Sequence, residues 1–177
     1  MKEGNVLFSE ERIKRRVREL AVEITRDYAG KPLTVLAVLK GSVRFLHDLL
    51  DCLGEHLTVE LIEASSYGDR TNSSGSVLIR SYGQLRVSGR DVLVVDGIAD
   101  TGLTLQGVVD EVRERGARSV RTCVLLDKPS RRRVPLEPDY RGFTIGDVFV
   151  VGYGLDYAGR FRDLPYIAEL HPTEKAR

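Results

Sequence analysis

The amino-acid sequence predicts an α/β fold, a mainly parallel sheet flanked by helices. Three observations carry that prediction. Apolar runs such as "LTVLAVLKGS" (residues 33–42) lack the polar alternation of a half-exposed strand, so they read as strands buried on both faces. Segments with helical spacing fall between those runs. Strand and helix then alternate along most of the chain, which favours parallel strands joined by helical crossovers.

The elements follow in order. Ser9 is a good N-cap, with Glu10 and Glu11 in the first turn, where carboxylates suit the helix dipole. Ile13, Val17, Leu20, Ala21, Ile24 and Tyr28 keep helical spacing, and Gly30 closes that helix. "LTVLAVLKGS" is the first buried strand, and "VRFLHDLLDCLG" is the helix after it. "LTVELIEASSYG" reads as a second strand. The polar, Gly- and Ser-rich "GDRTNSSGS" reads as a mobile loop, and "VLIRSYG" as a short strand beyond it. Asp91 to Val95 is the next strand. Leu105, Val108, Val109 and Val112 mark a helix ended by Gly116. "SVRTCVLLDKPS" and "DVFVVGYGLD" are the last clear strands, with a Pro- and Arg-rich loop at 129–142 between them. No repeat or linker interrupts the chain, so residues 1–177 are expected to form a single domain.

Composition narrows the function. Hydrophobic residues make up 42% and charged residues 30%, the balance of an ordinary globular protein. A net charge of +1 argues against bulk binding to nucleic acid or an anionic membrane. Arg131-Arg132-Arg133 is the tightest basic run and is expected to be a solvated loop. Cys52, in an expected helix, and Cys123, in an expected strand, lack metal-ligand spacing and are expected to be buried free thiols, which fits a reducing cytoplasm. The N-terminal stretch has no apolar signal region, and no run is long enough to span a membrane.

"VLVVDGIADTGLTL" (residues 92–105) carries the chemistry. An apolar strand delivers Asp96, Asp100, Thr101, Gly102 and Thr104 to its carboxyl end, where α/β sheets bind ligands. The helix that opens there offers unpaired N–H groups and a favourable dipole, Gly102 permits close approach, and the threonine hydroxyls add donors. The pattern is a phosphate cradle. It lacks both the P-loop and the dinucleotide glycine motif. Two adjoining carboxylates suit a polyol contact, a hydrated Mg²⁺ or a base. A plainer reading makes Asp100 the cap of the following helix. The aspartic-protease reading of Asp-Thr-Gly fails, because one triplet followed by a helix is not that site.

The same stretch resembles the phosphoribosyl pyrophosphate motif of type I phosphoribosyltransferases. "VLKGS", "SSYG", "LLDKPSRR" and "FVVGYGLDYAGRFRDLPYI" resemble the hypoxanthine-guanine phosphoribosyltransferase family, so the likeness extends from Val38 to Ile167. It implies a small hood over the sheet, a mobile lid loop, and purine salvage. Hypoxanthine or guanine plus phosphoribosyl pyrophosphate would give IMP or GMP plus pyrophosphate, with Mg²⁺, in a cytoplasmic homodimer or homotetramer. Asp100 would be the general base or acid at purine N7, and Asp100 with Thr101, Gly102, Leu103 and Thr104 would bind the 5′-phosphate. Lys40 and Gly41 would form the pyrophosphate loop, often with a cis peptide, and Arg162 would contact pyrophosphate. Lys128 would bond the purine O6, Phe149 would stack on the base, and Val150 would read its edge. Asp156 would lie beside the purine and hold Mg²⁺. Ser66 and Tyr67 would belong to the lid.

One departure stands out. The family carries adjacent Glu-Asp where this chain has Asp96-Gly97. Asp96 would remain near the ribose and metal, but one carboxylate is missing. Restoring it with Gly97→Asp is expected to tighten donor binding, unless a positive φ at Gly97 adds strain. The alternative reading is a catalytically weakened regulator on the same fold that binds nucleotide or RNA.

Overall fold

The computed structural model describes residues 2–54, 57–66 and 77–171. The central sheet grows outward from β2 (Leu33–Leu39), whose residues are almost all buried. In-register parallel pairing joins β2 to β3 (Leu57–Ser66) on one side and to β5 (Asp91–Ala99) on the other. β6 (Ser119–Asp127) and β7 (Tyr140–Thr144) continue the parallel order, while β4 (Val77–Ser81) pairs antiparallel to β3 at the far edge. The order is β4-β3-β2-β5-β6-β7.

Helices cover both faces, which is why the central strands show no polar alternation. α1 (Glu10–Tyr28) starts at Ser9, whose hydroxyl accepts the Arg12 N–H, and all six apolar residues identified by spacing are buried. α1 and α2 (Val43–Leu50) pack on one face with Val35, Ala37, Leu93 and Val95. α3 (Leu103–Glu114) packs on the other with Leu36, Val92, Val94 and Ile62. The alternate residues of each strand thus serve two cores.

A second, smaller antiparallel sheet is the hood. β1 (Lys2–Phe8) pairs with β9 (Ile167–His171), which pairs with β8 (Val150–Val151). The sequence pattern did not mark β1, β7 or β9 as strands, and the apolar run 147–156 yields a strand of two residues only. Gly152 and Gly154, at φ +99° and +95°, turn the chain out of that strand. The loop at 129–142 holds a 3₁₀ turn over Pro129–Arg131 and then enters β7 at Tyr140. Cys123 is buried in β6 as expected. Cys52, also expected buried, is exposed just past the end of α2.

Candidate active site

The carboxyl ends of β2 and β5 and the N-terminus of α3 enclose a cleft of about 260 Å³. Gly41, Asp96, Asp100, Thr101, Gly102 and Thr104 are among its lining residues. Leu103 is not, although its N–H reaches the Thr101 hydroxyl at 3.5 Å. The N-cap of α3 is Gly102 at φ +80°, and no side chain caps the helix. Asp100 is therefore not the capping residue, and the N-terminal dipole of a twelve-residue helix is left facing the cleft. Gly102 has a second task. A Cβ there would come within 2.7 Å of Arg132 Cδ and 2.9 Å of Val134 Cγ2, so the position admits only glycine against the 129–134 segment.

Asp100 sits between two cations. Lys128 Nζ donates to its Oδ2 at 3.2 Å and Arg131 Nε to its Oδ1 at 3.0 Å. Partial burial pushes the carboxyl up, but the hydrogen bonds from Arg131 and Lys128 outweigh that effect and hold it below the ordinary carboxylate range. Lys128 is only 5% exposed, far from an ordinary strand-end surface lysine. A buried ammonium needs a partner, and Asp100 is that partner.

The arginine run is exposed at Arg131 and Arg133, as expected of a solvated loop, but Arg131 and Arg132 are also bound to carboxylates. Arg131 also reaches Asp147 at 3.3 Å. Arg132 donates to the Asp100 carbonyl oxygen at 3.0 Å and to Asp127, which is buried at the end of β6. The Pro129 turn returns the chain to the strand ends and sets these guanidiniums around Asp100. Pro129-Ser130 after a strand end marks a turn in the sequence, but not where that turn places the arginines.

Asp96 points back at its own backbone. Its carboxylate accepts from Gly97 N–H at 2.7 Å and from Ile98 N–H. Burial pushes its pKa up to about 7 against those two bonds, so it titrates near neutrality. Gly97 is not among the positive-φ glycines, so the anticipated backbone strain is absent. The obstacle to a side chain there is steric. A Cβ at Gly97 would lie 2.8 Å from the Gly41 carbonyl oxygen, and a Cβ at Gly154 would lie 2.8 Å from the same atom. Two glycines thus clasp the carbonyl of the Lys40-Gly41 loop, where the Leu39–Lys40 peptide is cis as the resemblance implied.

A second cleft of about 400 Å³ adjoins the first and shares Leu39 and Ala64 with it. Lys40 and Arg162 line it. Arg162 also binds Asp156 Oδ1 at 2.6 Å and the Gly154 carbonyl at 2.7 Å, while Asp156 Oδ2 accepts Gly159 N–H at 2.7 Å. Phe149 is 49% exposed and meets Tyr157 edge-on at 5.7 Å between ring centroids. That exposure removes the default reading of a core aromatic. Val150, beside it, is buried and paired with Glu169. The Arg131–Asp147 bond ties the start of this hood segment to Asp100. Ser66 is the last residue of β3, and Tyr67 lies outside the described residues, as does the expected lid at 67–76.

Comparison with known proteins agrees with this geometry. Residues 5–158 match the phosphoribosyl transferase domain family. A hypoxanthine-guanine phosphoribosyltransferase of Bacillus subtilis (strain 168) is 45% identical over 168 residues, covering 95% of this chain and 93% of that protein. A Listeria monocytogenes protein named bifunctional protein TilS/HprT is 47% identical over 94% of this chain, which spans only 26% of its length. A solved hypoxanthine-guanine phosphoribosyltransferase of Bacillus anthracis, with a HEPES molecule in its active site, superposes with a TM-score of 0.90. It shares 41% identity over 96% of this chain and 100% of that one. A Trypanosoma cruzi hypoxanthine phosphoribosyltransferase in a ternary substrates complex gives the same TM-score at 39% identity, over 96% of each chain. The chain belongs to the hypoxanthine-guanine phosphoribosyltransferases of the phosphoribosyl transferase domain family.

Proposed function

We propose that the chain, as one domain over residues 1–177, transfers the phosphoribosyl group of phosphoribosyl pyrophosphate to hypoxanthine or guanine. The products are IMP or GMP and pyrophosphate. The observation that carries this reading is the Asp100–Lys128 pair at a helix-N-terminus cleft, with exposed Phe149 two residues beyond Asp147, which Arg131 ties to Asp100. Thr101 to Thr104 and the α3 dipole receive the 5′-phosphate. Phe149 stacks on the base, and the Val150 backbone meets its edge. Lys128 turns from Asp100 to the purine O6, favouring the anionic base. That movement frees one Asp100 oxygen to accept the N7 proton as N9 attacks the anomeric carbon. Lys40, Gly41 and Arg162 hold the departing pyrophosphate. Ser66 and Tyr67 begin the lid that excludes water.

Mg²⁺ fits this site as a companion of the donor. Among the described residues no cluster of three or more ligand-type side chains forms a cage. Asp156 is a single carboxylate, with oxygens shared between Arg162 and Gly159, and Asp96 is occupied by its own backbone. Mg²⁺ keeps several waters and binds through one or two carboxylates plus substrate phosphates, so Asp156 is the residue that would hold it. When bound it would neutralise charge on the leaving pyrophosphate.

The same reading includes a homodimer or homotetramer. Val59, Leu61 and Leu78 stand exposed on one face of the β3–β4 edge, and light scattering gives the assembled mass. It also places the protein in the cytoplasm. No helix among the described residues is long and apolar enough to cross a membrane, and both cysteines are free. A steady-state assay with hypoxanthine, guanine and xanthine tests the function. Turnover of the first two with release of pyrophosphate is the expected result. Nucleotide binding without turnover, or salt-dependent RNA binding, would replace it with a regulator on the same fold.

A further inference from the structure

Arg80 came from no motif. It lies in β4, directly opposite Glu63 in the antiparallel register with β3. Opposed charges at such a position ordinarily pair. Here they do not. Tyr82 Oη donates to Glu63 Oε1 at 2.6 Å, and Arg80 makes no ion pair among the described residues. Its side chain instead lines the second cleft with Lys40 and Arg162. Lys40 likewise makes no ion pair among the described residues, so only Arg162 is partly neutralised, by Asp156.

Among the described residues the cleft thus gathers Lys40, Arg80 and Arg162 with Glu63 as its one lining carboxylate, and Asp156 beside Arg162. Cations that outnumber the carboxylates beside them repel, and a polyanion relieves that repulsion. A guanidinium is the group best shaped for bidentate contact with phosphate oxygens. The cleft joins the 5′-phosphate cradle through Leu39 and Ala64, so a ligand with phosphate at both ends spans the two. We propose that Arg80 is a further donor-binding residue, a third cation beside Lys40 and Arg162 for the pyrophosphate end of the substrate. The proposal rests on the phosphoribosyltransferase reading of the cleft.

The test is Arg80→Gln, an exposed substitution on an edge strand, compared with Arg80→Lys, Lys40→Gln and Arg162→Gln. Losing one charge-assisted contact raises KM for phosphoribosyl pyrophosphate by about tenfold or more. The inhibition constant of inorganic pyrophosphate rises in parallel, while KM for guanine stays within about twofold. Arg80→Lys recovers part of the loss, since it keeps the charge but not the fork. If Lys40→Gln and Arg162→Gln weaken donor and pyrophosphate binding while Arg80→Gln leaves both unchanged, Arg80 has no such role and the site reading survives. If none of the three moves either constant, the site reading itself fails.

Discussion

On the side of the cleft proposed for the purine the charges are already matched, whereas on the side proposed for the donor they are not. Lys128 and Arg131 share Asp100, Arg131 reaches on to Asp147, and Arg132 holds the buried Asp127. Across the cleft, Lys40 and Arg80 face the cavity with no ion pair among the described residues. The contrast is what the proposed function requires of each side. A purine brings no net charge, so a buried lysine beside it needs a resident partner or would be costly to bury. Pyrophosphate brings several negative charges and supplies the partner itself. On the proposed reading the purine side is finished before substrate arrives, and the donor side would be completed by it.

The largest test of this contrast removes the central charge. Asp100→Asn keeps the shape but cannot take a proton, and it leaves Lys128 without its counter-ion. General acid–base assistance is worth roughly 10²–10⁴-fold, so kcat for guanine should fall by that order. A loss under about fivefold in a folded variant, shown by circular dichroism, means that proton transfer lies elsewhere.

The second test concerns Gly97, where the structure reverses the expectation drawn from the missing acid. Gly97→Asp was expected to restore a donor contact. Its Cβ would meet the Gly41 carbonyl oxygen at 2.8 Å, so the Lys40-Gly41 loop must shift before any carboxylate can act. Overpacking of this kind costs about 1–3 kcal/mol of strain, and the part relieved by moving the loop is lost from donor binding, at most roughly 150-fold. Gly97→Ala and Gly97→Asp should therefore both raise KM for phosphoribosyl pyrophosphate while sparing KM for guanine. Gly97→Asp giving a lower donor KM than the parent would show that the loop yields and that the lost carboxylate limits this protein.

Local signals in the sequence were enough for much of this. The spacing from Ile13 to Tyr28 marked α1, and the unbroken apolar runs marked β2, β5 and β6 as strands covered on both faces. Asp100 was legible because it combines a strand end, a glycine and a helix start. What stayed hidden depends on residues brought together from afar. Lys2–Phe8 forms a strand only because Ile167–His171 lies beside it, and a polar stretch with Gly4 and Asn5 carries no strand pattern of its own. The Arg131 and Arg132 contacts need the chain to fold back over α3, and the clasp on the Gly41 carbonyl joins Gly97 to Gly154. Arg80 looked like any surface arginine until Tyr82 was seen to occupy Glu63.

The smallest expected effect is the most selective test of the matched side. Arg131 heads the hydrogen bonds that lower Asp100, ahead of Lys128, and both oppose the upward push of burial. Arg132 meets only the Asp100 backbone, Asp147 competes for Arg131, and Asp127 is held by Arg132 and Arg141. Arg131→Gln therefore removes one lowering influence and leaves the rest. A base must be ionised to accept a proton, so activity is lost as pH falls through its pKa. The acid limb of the kcat/KM profile should move to higher pH in Arg131→Gln. Arg131 is 43% exposed, and pairs so exposed contribute little, so the neutral-pH plateau should change far less than in Asp100→Asn. Stability gives an independent check with a fixed sign. A carboxylate held low in the folded state stabilises the protein above its unfolded pKa of roughly 3.9, and that stabilisation is lost as pH falls through the folded value. Arg131→Gln should consequently lose less Tm on acidification below about pH 4 than the parent does. An unmoved acid limb together with an unchanged acid sensitivity of Tm would mean that Lys128 alone sets the basicity of Asp100, and that the matching of charge on the purine side does not extend to Arg131.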